Sequence, residues 1–210
     1  DELYEGVRFG FINVEKFDKP FTITGVRLVC QTKPINYEGS FDSDNEMLNK
    51  IWYTAAYDVR ANLKKDYLAA ILVDRGDRHS WTGDAYTSQA ASLVAFGNYD
   101  FILENLRYTA VRPNGIESYE LYWLLCPIDY YEYSGDTDGV LSLLDEAVKR
   151  LDHAYEIYGT NPSLGFFGWD ERLGAGFENP NLPENQNSYK LLSIQCWKEC
   201  AALFRELGRE

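Results

Sequence analysis

Ser43-Asp44-Asn45-Glu46-Met47-Leu48-Asn49-Lys50-Ile51-Trp52-Tyr53-Thr54-Ala55-Ala56-Tyr57-Asp58-Val59 is the stretch in which the chain changes period. Leu48, Ile51, Trp52, Ala55, Ala56 and Val59 fall at helical spacing. Ser43 or Asp44 is placed to cap that helix, with Glu46 in its first turn. Upstream the period is two. Val7, Phe9 and Phe11 share one face, and Phe21, Ile23, Val26, Leu28 and Cys30 continue the pattern through a turn or bulge at Thr24-Gly25. Two antiparallel strands are therefore expected, at 7–11 and 21–30. Two strands cannot bury a core by themselves, so they read as the end of a sheet whose other strands lie elsewhere.

Downstream the pattern stays helical. Helices are expected over about Gly83–Phe96, stopped by Gly97-Asn98; over Tyr99–Val111, stopped by Pro113-Asn114-Gly115; and over Tyr119–Tyr133, ended by Ser134-Gly135-Asp136. Two more are expected over Thr137–Tyr158 and Asn187–Leu207. A charged loop spans 66–81, and a loop rich in Gly, Pro and Asn spans 159–184. The fold class is mainly α: a few strands, then six helices. Six helices can close a bundle, or they can be three hairpins of a six-hairpin toroid, and the amphipathic pattern permits either.

The 210 residues suffice for a sizeable core. Sixteen Tyr, eleven Phe and five Trp suit either a large aromatic core or a sugar site, where ring faces stack on sugar C–H faces while carboxylates bind the hydroxyls. A net charge of −13 argues against nucleic acid and against an anionic membrane surface. No apolar run is long enough to span a membrane. Cys30, Cys126, Cys196 and Cys200 contain no Cys-x-x-Cys pair, and with only two histidines no zinc pattern appears. Cys196 and Cys200, four apart on an expected helix, read as packed thiols.

The densest chemistry is Asp74-Arg75-Gly76-Asp77-Arg78-His79-Ser80-Trp81-Thr82-Gly83-Asp84, in a loop leading into a helix. Asp84 falls in that helix's first turn, where the dipole favours its anion. Asp77, if packed beside Trp81 and a second carboxylate, would hold its proton to higher pH, as a general acid must. The same residues also describe a charged surface loop with Asp84 as a cap. His79 reads as a structural or solvated loop residue. Phe166-Phe167-Gly168-Trp169-Asp170-Glu171-Arg172 pairs an indole with two acids and reads either as a pocket wall or as a loop pinned by Trp169. Of Glu117-Ser118-Tyr119-Glu120-Leu121-Tyr122-Trp123, one face should be core, so only part can line a site.

Gly39-Ser40-Phe41-Asp42-Ser43-Asp44 with Leu48-Asn49-Lys50-Ile51-Trp52 resembles the entry to the catalytic domain of glycoside hydrolase family 78, the α-L-rhamnosidases with an (α/α)6 barrel. Trp81-Thr82-Gly83-Asp84 is similar to the end of that family's acidic signature, and Tyr130-Tyr131-Glu132-Tyr133-Ser134-Gly135-Asp136 to the close of a later hairpin. The resemblance implies residues 1–38 as C-terminal strands of a β-sandwich and 39–210 as the first half of the barrel. It implies Asp77 as the general acid, although the family usually has Glu there. The family's earlier sugar-binding Asp falls near Ile71 or Leu72, neither of which can serve, and Asp74 stands in at an offset. Trp81 and Asp84 carry over as sugar contacts, joined by Arg78 and Trp169.

It further implies inverting hydrolysis of terminal α-L-rhamnosides on a rhamnosylated glycan or glycoside, with no cofactor, no metal, no nucleic-acid partner and no membrane. Inversion needs a second carboxyl to activate water. The family supplies it from a later hairpin, so this chain alone is expected to hydrolyse nothing and to self-associate through the exposed half-barrel face. Two alternatives stand beside this reading: a six-hairpin glycosidase of different sugar specificity, and a non-catalytic carbohydrate-binding module.

Overall fold

The computed structural model describes residues 9–29, 33–69, 80–113, 115–159 and 182–209, and the backbone of 169–170 and 176–177. These residues are mainly helical. The helices are α1 (Glu46–Ala61), α2 (Thr82–Phe96), α3 (Tyr99–Ala110), α4 (Glu117–Ser134), α5 (Thr137–Leu141), α6 (Leu144–Tyr158) and α7 (Pro183–Glu206). A minimal antiparallel ladder pairs β1 (Trp169–Asp170) with β2 (Gly176–Phe177).

The expected cap of α1 moves by a residue or two. Asn45 caps it, its Oδ1 accepting from Met47 N at 3.0 Å and Leu48 N at 3.4 Å. Ser43 lies too far upstream to reach those amides and is braced by Asn49, whose Oδ1 accepts from Ser43 N at 2.9 Å. α2 and α4 close where expected, at Gly97 (φ 56°) and Gly135 (φ 65°), in the left-handed conformation that costs a residue with a Cβ. The single helix expected over 137–158 is broken. Ser142 turns its hydroxyl onto Gly139 O at 2.6 Å, and Leu143 is drawn into the core at the break. α7 starts four residues earlier than expected, with Pro183 at its first position, where the missing N–H costs nothing.

The strands expected at 7–11 and 21–30 are not present among the described residues, 9–29 of which form no ladder. Phe9, Phe11, Val26 and Leu28 are all exposed. Alternation selects a face, but a strand also needs a hydrogen-bonding neighbour and a covering layer, and these residues have neither here.

α4 is the hub. Gln89 Nε2 donates to Cys126 O at 2.8 Å, Tyr119 OH to Asp84 Oδ2 at 3.2 Å, Cys196 Sγ to Leu121 O at 3.3 Å and Tyr131 OH to Glu206 Oε1 at 3.2 Å. Partner numbers rise together in both pairings, so α2, α4 and α7 run in one direction, side by side. α6 runs against them: His153 meets Glu117, and Arg150 meets Glu120. α3 is also antiparallel to α4. Its far end lies by Arg150, which donates to Ala110 O at 2.9 Å, and Leu103 lies near Gly139.

Between these rows sits the core, led by Phe96, Ile102, Leu106, Leu121, Trp123, Leu124 and Tyr130. Each such side chain is worth about 1.5–3 kcal/mol of burial. Trp123 keeps its indole N–H satisfied on Thr109 Oγ1 at 3.1 Å. Cys126, Cys196 and Cys200 are buried free thiols, and burial pushes the Cys200 thiol up to about 12. No described helix is long and apolar enough to cross a membrane.

Candidate functional site

Because α2, α4 and α7 are parallel, their N-terminal ends gather at one side of the molecule, and the connections that precede them end there. Trp81 holds the N-cap position of α2 in extended conformation (φ −97°, ψ 121°), and its carbonyl accepts from Ala85 N at 2.7 Å. Its ring is half-buried, as is Asp84. Asp84 occupies the first turn of α2, as expected. It points across to α4, where the Tyr119 hydroxyl donates to its Oδ2. Burial first, and the Asp84 charge second, push the Tyr119 phenol up, so it remains a donor at any physiological pH.

The approach of α4 explains the glycine before Asp84. A Cβ on Gly83 would overlap the Tyr119 ring, so the ring lies directly on the α2 backbone. Tyr119 meets Tyr122 edge-on at 6.3 Å, and Tyr122 stacks on Tyr86 at 5.4 Å. Three half-buried tyrosines thus line the seam of α2 and α4. Along that seam stands Asp129, whose carboxyl is pushed up to about 6, by burial first and then by the Glu132 charge.

Asn105 on α3 ties down the chain on both sides of the acidic loop. It is 1 % exposed, and its Oδ1 accepts from Leu68 N at 2.9 Å and from Ser80 Oγ at 3.3 Å. Leu68 bridges Leu63, and both are fully buried. Leu68 and Ser80, on either side of the acidic loop, therefore meet at one buried amide.

Of the residues singled out by sequence, Asp84 meets Tyr119, and Trp81 stands three residues before it at the start of α2. Asp74, Asp77, Arg78 and His79 lie outside the described residues. Trp169 pairs through its backbone with Phe177, and its side chain is likewise outside the described set. The third cluster divides as expected: Ser118, Leu121 and Trp123 are core, while Tyr119 and Tyr122 face the seam. Sequence reasoning passed over Tyr86, Asn105 and Asp129. The step of seven from Tyr122 to Asp129 puts both on one helix face and was the available signal for the latter.

Arg150 forms a second polar cluster. It is buried over the Trp123 ring at 4.4 Å and bonded to Glu120, Glu146 and Ala110 O. Burial raises the Glu120 carboxyl, against the lowering effect of Arg150. Among the described residues, no group of three His, Cys, Asp or Glu is placed to hold a metal ion. Comparison with family models and with curated proteins found no match for this chain.

Proposed function

We propose that the chain is part of a six-hairpin glycosidase acting on terminal α-L-rhamnosides, with the sugar bound at the N-terminal ends of α2, α4 and α7. The observation that carries this reading is Asp84, oriented by Tyr119 next to Trp81 at the head of α2. An ionised carboxylate held in place by a tyrosine hydroxyl is an acceptor suited to a sugar hydroxyl, and the indole at the start of the same helix offers a face for a deoxy-sugar's apolar side. Three parallel helices with antiparallel partners between them are what three hairpins of an (α/α)6 toroid would contribute. The exposed apolar side chains before α1 suit a segment covered by a β-sandwich.

In this reading Asp77 is the general acid. It lies four positions before Trp81, so chain length alone keeps it within about 14 Å of the head of α2. Asp74 and Arg78 bind hydroxyls, and Trp169 forms a pocket wall. Inversion also needs a second carboxyl to activate water, and this reading assigns that role to none of the described residues. Exposed apolar side chains on α1 (Leu48, Ile51) and α7 (Leu191, Ile194) favour self-association where nothing covers them. The seam of Tyr86, Tyr119 and Tyr122 supports a second reading, a sugar-binding module without turnover, because stacking and hydroxyl binding need no acid.

Asp77→Asn separates the two. Placed in a rhamnoside-hydrolysing protein that contains this chain, it should lower kcat by at least about a thousandfold while sugar binding persists. Unchanged turnover would remove Asp77 from the mechanism.

A further inference from the structure

A cavity of about 520 Å³ opens on the other side of α4, among the C-terminal end of α3, the first turns of α4, and α6. It shares no lining residue with the seam of Trp81, Asp84, Tyr119 and Tyr122. Its size is within the usual range for small-ligand sites, about 300–1,000 Å³. One wall is apolar and comes from Val111, Pro113 and Ile116. The other is polar and braced. Glu120 and Glu146 are held by the buried Arg150 guanidinium, which itself rests on Trp123. At the mouth, Glu117 Oε2 pairs with His153 Nε2 at 3.0 Å, and Glu146 pairs with Lys149 at 3.5 Å. Glu117 and Glu120 each spend Oε2 on these pairs, leaving Oε1 to accept from a ligand. Lys149 and His153 are exposed enough to donate.

We infer that this cavity is a second binding site for a neutral, hydroxyl-rich molecule of the size of one pyranose ring. Carboxylates fixed by a buried guanidinium present acceptors at set positions without reorganising, and vicinal hydroxyls match two such acceptors. Two of the three carboxylates are balanced in charge by Lys149 and Arg150, and His153 adds a polar ring beside the third. An anion would meet three carboxylates in a chain of net charge −13. A cation would find Glu120 and Glu146 already paired with Arg150 and Lys149. The apolar wall takes the C–H face of a ring. This inference stands on the cavity alone and holds whether or not the seam binds rhamnose.

His153 is one of two histidines in the chain, so its ring resonances report locally, and His79→Gln assigns them. Methyl α-D-glucopyranoside, glucosamine and glucuronate, each titrated into the full chain, probe the neutral, cationic and anionic classes. The neutral glycoside should shift the His153 signals saturably, with a dissociation constant on the order of millimolar. Val111 is exposed, so Val111→Trp should fill the mouth without disturbing the core, and it should weaken binding about tenfold or more. Glu117→Gln should weaken saturation transfer to the glycoside, and Trp81→Ala should leave the titration unchanged. The inference is overturned if the neutral glycoside leaves His153 unmoved, if only the amine or the uronate binds, or if Val111→Trp binds as the wild type does.

Discussion

Asp129 holds its proton two pH steps above an ordinary aspartate because burial first, and the Glu132 charge second, disfavour its anion. The consequence for stability follows from linkage. The unfolded carboxyl titrates near 3.9 and the folded one near 6, so the folded state binds the extra proton between them. Its contribution is fully present below about pH 4 and is lost as pH rises through about 6. Asp129→Asn should therefore be more stable than the wild type at pH 7, on the order of 1 kcal/mol after allowing for solvent screening, and the gap should close by about pH 4. Urea midpoints at both pH values test this, and an equal gap at both would contradict it. Glu132, three residues on, is visible in the sequence, but the larger cause is burial, which depends on how the helices pack around α4.

At the scale of elements, the junction of α2 and α4 is the tightest contact that the candidate site depends on. Gly83 lies within a helix, where alanine would ordinarily gain up to about 1 kcal/mol. Here the added methyl must displace the Tyr119 ring and with it the bond to Asp84. Overpacking of this kind costs about 1–3 kcal/mol. Gly83→Ala should thus be neutral to destabilising in the wild type and stabilising in a Tyr119→Ala background. A double-mutant cycle read by denaturation measures the difference, and identical effects in both backgrounds would refute the contact.

The helices themselves were legible. Periodicity located six stretches, and Gly97 and Gly135 marked two ends correctly. The break after Leu141 was not, since it comes from a serine hydroxyl turning onto the backbone within an unbroken apolar pattern. The strands expected before α1 are not shown among the described residues, and period two states which face a strand would bury and nothing about whether a neighbour exists.

Across the whole molecule, the arrangement that matters is the common direction of α2, α4 and α7, which brings Trp81, Asp84 and Tyr119 to one end. Asp84 at a helix start could be read from sequence, since capping and stop signals are local. Its partner could not. Tyr119 lies thirty-five residues away, and only the parallel packing of two helices joins them. The same holds for Asn105, whose amide binds chain on both sides of the acidic loop from a different helix.

The central claim, that this end of the molecule binds rhamnose through Asp84, is tested most directly by calorimetric titration of methyl α-L-rhamnopyranoside into the Val111→Trp chain, in which the second cavity is filled, and into the same chain carrying Asp84→Asn. The account predicts saturable binding in the first, on the order of millimolar, and affinity about tenfold or more lower in the second with unchanged circular dichroism. No binding to the first, or equal affinity in both, would contradict it.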